Sequence, residues 1–230
     1  MDLYVALILL WRHIRIILNI GIVKMKVHNL YSGSWLSNCY AIISRDADGI
    51  AHAAIVDPST PADKICEFLD AEDARLDMII LTHGHFDHIM SLDELRERTG
   101  APVYIHKEDE DMIGDSHKNA YSLFLAGKLE AKNADRIMSD NDILSLGNDK
   151  LTVIHLPGHT NGSIGLLGDG FILTGDTLFD RGVGRSDLYG GDSARLYSSL
   201  AKLQGFDPSL KIYPGHGKSA ILGNVLSTVL

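Results

Sequence analysis

Four side chains able to bind a metal ion crowd into six positions of the stretch Thr82-His83-Gly84-His85-Phe86-Asp87-His88. Neutral imidazole and carboxylate are ligands for divalent cations, and a cation so held can activate water or polarise a carbonyl. Four such groups this close cannot share one helical face. On a turn they can splay around a cavity, and Gly84 lets the backbone make that turn. The apolar run Met78-Ile79-Ile80-Leu81 just before them reads as a buried strand, so the ligands are expected at a strand's end. Three further segments follow the same grammar of apolar strand, glycine-bearing turn and one candidate ligand: Leu156-Pro157-Gly158-His159-Thr160, Thr174-Gly175-Asp176-Thr177 and Tyr213-Pro214-Gly215-His216-Gly217. Each alone is a surface turn as often as a ligand. Together they give the candidate metal set His83, His85, Asp87, His88, His159, Asp176 and His216. That count suits two divalent ions sharing a bridging carboxylate, with open positions for water and substrate. Donors without thiolate fit zinc, iron or manganese and do not choose among them. No convincing Ser-His-Asp arrangement competes with this reading.

The elements that must position these residues belong to an ordinary globular chain. Its 230 residues are 45% hydrophobic and 22% charged, ample for one core. Eleven His stand against two Cys, too few thiols for a disulfide framework or a thiolate zinc site. Cys39 and Cys66 read as small buried apolar residues. A formal charge of −9 argues against a nucleic-acid partner, which would need a basic footprint. Strands are expected at 25–30, 38–44, 52–56, 76–81, 102–105, 151–156, 163–167, 170–174 and 210–213. Amphipathic helices are expected at 61–73, from His88 to about Arg98, and at 192–203 with Asp192 or Ser193 as the cap. Residues 107–135 read as polar and helical in pieces. Alternation without a composition break predicts a single α/β domain over 25–230.

The first 24 residues read differently. Leu3 to Val23 is long enough to span a bilayer, but Arg12 and Arg15 near its centre roughly cancel the apolar gain. We take 1–24 as an N-terminal apolar extension, with Met25 as the working start. Membrane association through this segment is the other reading, and a cytoplasmic location is expected otherwise.

The HxHxDH, GHT, GD and PGHG elements, in this order, resemble the metallo-β-lactamase superfamily, and more narrowly its glyoxalase II-like (hydroxyacylglutathione hydrolase-like) branch. The likeness runs from about Met25 to Gly217. It implies a four-layer αββα sandwich with the metals at one edge of the paired sheets. It also implies that His83, His85 and His159 hold a first metal, that Asp87, His88 and His216 hold a second, and that Asp176 bridges them. Two divalent ions, zinc before iron or manganese, would then hold a bridging hydroxide that attacks an acyl thioester, with Asp87 and Asp176 as the catalytic carboxylates. The segment Gly184-Arg185-Ser186-Asp187-Leu188-Tyr189-Gly190-Gly191-Asp192 is similar to the same branch, except that Tyr189 stands where Pro is usual. Asp at 176, rather than Cys, argues against an antibiotic-hydrolysing lactamase with a His-Cys-Asp second site.

The substrate expected from the resemblance is a small acyl thioester, glutathione-derived in the nearest case. Only residues 217–230 follow His216, so core loops would have to hold it. The alternative is an iron-dependent oxidoreductase resembling persulfide dioxygenases, using His83, His159 and Asp176. Lactones and phosphodiesters rank behind both. Asp57 reads equally as a turn residue or as an acceptor for a ligand imidazole. His106 and His155 read as structural histidines, and His13, His28, His52 and His117 as background. Arg181, Arg185 and Asp187 follow Asp176 closely enough to face the site, as an ion pair or as an anion reader.

Overall fold

The computed structural model describes residues 25–30 and 37–230. The apolar extension expected at 1–24 lies outside them. The first half of the chain builds one sheet from β1 (Lys26–Asn29), β2 (Tyr40–Arg45), β3 (Ala51–Val56), β4 (Ala74–Ile80), β5 (Val103–His106) and β6 (Arg136–Met138), hydrogen-bonded in that order. The second half builds the other from β7 (Ile143–Leu146), β8 (Asp149–His155), β9 (Ile164–Gly168), β10 (Phe171–Gly175), β13 (Lys211–Pro214) and β14 (Ala220–Ile221). A small hairpin of β11 (Leu178–Phe179) and β12 (Gly182–Val183) stands apart. The helices are α1 (Ala62–Ala71), α2 (Leu92–Thr99), the four-residue α3 (Tyr121–Phe124), α4 (Ser193–Leu203) and α5 (Leu222–Val229).

Side-chain alternation explains why these elements stack into four layers. Successive strand residues face opposite ways, so a strand apolar at every position must be covered on both faces. In β2, Tyr40 and Ile42 point to the centre of the sandwich, while Ala41 and Ile43 point outward. In β4, Ile80 points in and Ile79 out, and β10 repeats this with Leu173 in and Ile172 out. The inward set meets between the two sheets. The outward set of the first sheet takes Ile65 and Leu69 of α1 and Leu92 and Leu95 of α2. That of the second takes Leu200 and Leu203 of α4 and Leu222 and Val225 of α5. The result is the expected αββα sandwich in a single domain. Among the described residues no helix is long and apolar enough to cross a membrane.

Two expectations need correction. The helix expected from His88 begins only at Leu92. Phe86–His88 forms a tight 3-10 turn, and Ser91 N–H donates to the Pro58 carbonyl at 2.9 Å instead of continuing a helix. This pins the His-rich loop to the loop after β3. Residues 107–135 hold just one short helix, α3. Their turns are fixed by inward anchors, the buried Asp109, Met112, Ile113 and Asn119, rather than by an amphipathic face.

Candidate metal centre

All seven candidate ligands leave the C-terminal ends of strands. His83, His85, Asp87 and His88 follow β4, His159 follows β8, Asp176 follows β10 and His216 follows β13. Since β4 lies in one sheet and the other three strands lie in its partner, the ligands meet at one edge of the sandwich. His83 Nε2 lies 3.2 Å from His159 Nε2, and His85 Nδ1 lies 2.9 Å from the same atom. His216 Nε2 lies 3.1 Å from Asp87 Oδ2, and His88 Nε2 lies 3.8 Å from it. Asp176 sits between these groups. Its Oδ1 is 3.4 Å from His88 Nε2, and its Oδ2 is 3.5 Å from His216 Nε2 and 3.6 Å from His159 Nε2.

Three triplets of donor atoms each fall within 4.8 Å: His83, His85 and His159; His83, His88 and Asp176; Asp87, His88 and His216. A tetrahedral zinc site with ligands near 2.0–2.1 Å spaces its donors about 3.3 Å apart, close to what is seen here. The buried His88 Nε2 and Asp176 Oδ1 make no hydrogen bond. Buried polar atoms without partners are costly, and atoms converging on one point suit a shared cation. The donor set therefore fits divalent metal ions.

The other ring nitrogens are held in turn. His159 Nδ1 donates to the Arg185 carbonyl at 2.7 Å. His88 Nδ1 donates to Asp57 Oδ2 at 2.8 Å. His83 Nδ1 is 3.1 Å from the Thr82 hydroxyl, which donates to the same Asp57 oxygen at 2.7 Å. Each of these protons on Nδ1 leaves Nε2 free to face the centre. Asp57 also accepts from Thr82 N–H at 2.8 Å, is fully buried, and holds a left-handed backbone at φ 52°. Asp tolerates that conformation better than most residues. Of the two readings of Asp57, the structure shows the acceptor for a candidate-ligand imidazole.

Asp109 is the residue that sequence reasoning missed. Buried among the turns after β5, it accepts from Gly84 N–H, from Gly162 N–H at 2.6 Å and from the Thr160 hydroxyl at 2.6 Å. One carboxylate thus ties the turn of His83 and His85 to the turn of His159. Its sequence context, a polar run without glycine or histidine, carries no signal that separates it from its neighbours Glu108, Glu110 and Asp111.

Burial holds the His85 imidazole down to about 3 and keeps His83 and His159 below the usual imidazole range. Burial opposes charge on His88 too, but Asp57, Asp176 and Asp87 around it outweigh that and raise it. Burial would raise Asp176 and Asp87, yet the surrounding imidazoles hold both below the ordinary carboxylate range. Near neutral pH the cluster offers neutral imidazoles at His83, His85 and His159 and ionised carboxylates at Asp87 and Asp176. His88, held above the usual imidazole range, must shed a proton to bind a cation.

Two glycines permit the close approach. A Cβ on Gly215 would fall 2.0 Å from Asp176 Oδ1, and one on Gly158, at φ 134°, would fall 2.2 Å from Leu196 N. Above the cluster opens a cavity of about 420 Å³, walled by Phe86, Phe124, Leu125, Leu188 and Arg185. Arg185 and Asp187 form the expected ion pair, at 2.6 and 2.8 Å, while Arg181 is exposed. The Tyr189 hydroxyl reaches Asp111 at 3.3 Å, and the Lys118 ammonium lies over its ring. His106 and His155 stack on each other with centroids 4.1 Å apart, in a structural role. His52 is no background residue: it pairs with Asp77 at 2.6 Å and Asp46 at 3.2 Å, away from the cluster.

The family profile of the Metallo-beta-lactamase superfamily matches residues 33–216, spanning every candidate ligand. The chain belongs to the metallo-β-lactamase superfamily. Membership places it among metallo-hydrolases that bind divalent metals. It is 32% identical over 180 residues to hydroxyacylglutathione hydrolase GloC of Haemophilus influenzae, covering 76% of this chain and 85% of that protein. Its fold matches the crystal structure of BLEG-1 B3 metallo-beta-lactamase with a TM-score of 0.77 and 29% identity, over 88% of this chain and 96% of that one. It matches TTHA1623 in a di-iron-bound form with a TM-score of 0.73 and 29% identity, over 86% and 96%.

Proposed function

We propose that residues 25–230 form a dinuclear metal-dependent hydrolase of small acyl thioesters, including those derived from glutathione. The observation that carries this reading is Asp176, whose two carboxylate oxygens lie within 3.4–3.6 Å of imidazoles from both groups. His83, His85 and His159 would hold one ion, and Asp87, His88 and His216 the other, with Asp176 between. Bound there, divalent ions supply water activation near neutral pH and polarisation of the acyl carbonyl. Water then cleaves the C–S bond, giving a carboxylic acid and a thiol. Asp57 and the Arg185 carbonyl fix the imidazole tautomers, and Asp109 fixes the two turns, so little reorganisation is needed. The apolar wall of the cavity shields the reacting carbonyl from bulk solvent. Neither cysteine competes as nucleophile: burial pushes the Cys39 thiol up to about 12, and neither thiol lines the cavity.

The likeness to GloC supports a thioester over the β-lactam suggested by the likeness to BLEG-1, and the di-iron form of TTHA1623 keeps iron beside zinc and manganese. The test is metal analysis after chelator-free purification, paired with assays on lactoylglutathione, a simple lactone, a phosphodiester, a β-lactam and glutathione persulfide. The expected result is two ions per chain with the thioester turned over fastest. One iron per chain, with persulfide consumed and the thioester untouched, would overturn it.

A further inference from the structure

The cavity above the metal-ligand cluster has two side walls, and they come from opposite halves of the chain. Ala120, Phe124 and Leu125, between β5 and β6, make one; Arg185 and Leu188, between β12 and α4, make the other. The foot of each wall is pinned. The Asn119 carbonyl accepts from Phe86 N–H at 2.9 Å, the Arg185 carbonyl accepts from His159 Nδ1 at 2.7 Å, and Asp192 N–H donates to the Gly158 carbonyl at 2.9 Å. Between the pins of the second wall, residues 188–191 form a turn closed by Gly191 N–H on the Leu188 carbonyl at 2.9 Å, with Tyr189 at its tip. Among the described residues, one hydrogen bond joins 107–125 to 184–191: the Tyr189 hydroxyl donates to Asp111 Oδ2 at 3.3 Å. The same oxygen accepts from the Lys118 ammonium, which lies 5.3 Å from the centre of the Tyr189 ring. Each of the three side chains thus touches the other two, and none of them lines the cavity. The ring is held by a cation at its face and a carboxylate at its hydroxyl. Exposed contacts of this kind are individually weak, but a few-fold bias is enough to tip a loop between closed and open arrangements.

We propose that Tyr189, Asp111 and Lys118 form a clasp that keeps the two walls together and thereby limits the bulk of the group the cavity admits. Tyr189 is a positioning residue, acting through the spacing of Leu188 and Phe124 without touching substrate. A slim ligand fits whether the clasp is shut or open, so its affinity is indifferent to the balance between them. A bulky ligand needs the open arrangement, and its apparent affinity is scaled down by the open fraction. The size selection rests on the hydrolase reading; the clasp itself does not.

Two variants test it. Tyr189→Phe removes the hydroxyl and keeps the ring beside Lys118; Asp111→Ala removes the shared acceptor. Hydrogen–deuterium exchange, followed by mass spectrometry on the peptide covering 184–192, reads opening directly. Loss of the bond should speed exchange there about fivefold, while exchange in the core peptide 76–81 stays as in the wild type. In the double variant, Tyr189→Phe should add nothing to Asp111→Ala, because the two groups act through one bond. Turnover of S-lactoylglutathione and S-mandeloylglutathione by the metal-loaded protein reads the size limit. In each variant kcat/KM for the bulkier mandeloyl ester should rise about fivefold relative to the lactoyl ester, with kcat for the lactoyl ester within about twofold of wild type. Unchanged exchange in Tyr189→Phe would overturn the clasp, as would additive effects in the double variant. Faster exchange with an unchanged ratio of the two esters would overturn the size selection. Faster exchange in a protein that cleaves neither ester would remove the hydrolase reading and leave the clasp standing.

Discussion

Replacing Asp57 with Asn isolates what one buried carboxylate does for the ligand cluster. Asn tolerates the left-handed backbone at φ 52°, so the substitution changes charge and hydrogen bonding without adding strain. Asp57 accepts three bonds: Thr82 N–H at 2.8 Å, the Thr82 hydroxyl at 2.7 Å and His88 Nδ1 at 2.8 Å. An amide has one acceptor oxygen. With that oxygen on Thr82 N–H, the amide NH₂ faces the Thr82 hydroxyl and His88. The hydroxyl can turn to accept it, still accepting from His83. His88 can accept only by moving its proton from Nδ1 to Nε2, the atom 3.4 Å from Asp176 and needed for the cation. Loss of a buried charged pair costs about 3 kcal/mol of folding stability. The wrong tautomer should weaken metal binding at the Asp87, His88 and His216 site by roughly 10–100-fold, leaving the His83, His85 and His159 site much less affected. Urea denaturation of the metal-free protein and competition with a chelator of known affinity read these two effects. An Asn variant that unfolds at the wild-type midpoint and binds both ions as tightly as wild type would refute the reasoning.

Three further outcomes follow from single contacts. Asp109→Ala strips the acceptor from Gly84 N–H, Gly162 N–H and the Thr160 hydroxyl; at about 1 kcal/mol for each, the urea midpoint should fall by the equivalent of about 3 kcal/mol. Gly158→Ala sets a methyl group 2.2 Å from Leu196 N at a backbone angle alanine avoids, so α4 must shift, and a loss above about 2 kcal/mol is expected in the same assay. Burial holds His106 down to about 4, below its unfolded value, so the stability it contributes is complete above pH 6.5 and is lost as pH falls toward 4. The loss is on the order of 2 kcal/mol across that window, and His106→Phe, which preserves the stack on His155, should flatten the melting temperature between pH 6.5 and 4. An unchanged slope would show that other groups set the acid limit.

What could be read from the chain depended on how local the determinant was. The strands β2, β3, β9 and β10, and the C-terminal halves of β4 and β8, are mostly apolar runs, legible because burial on both faces leaves few polar interruptions. Edge strands such as β6 and β7 were not legible: Ile137 and Ile143 are exposed, and pairing with a neighbour on one side leaves too little pattern to see. The turn around His83–His88 stood out because glycine and ligand residues are adjacent in sequence. Asp109 acts on backbone N–H groups 25 and 53 residues away, and nothing near it in the chain records that distance. Arg185 could be read as ion-paired or as anion-reading; the structure shows the ion pair with Asp187.

The crossing from the first sheet to the second happens once, at residues 139–142 between β6 and β7. Each of the three triplets of donors draws members from both sides of that crossing. Cut there, the first half keeps four candidate ligands with Asp57 and Asp109, the second keeps three, and neither keeps a whole triplet. A growing chain could thus finish its first sheet and still lack any complete triplet until His159 has been added and the second sheet has closed on the first. Chemistry at this edge is a property of the assembled sandwich, so a half-folded intermediate presents no armed centre to the solution around it.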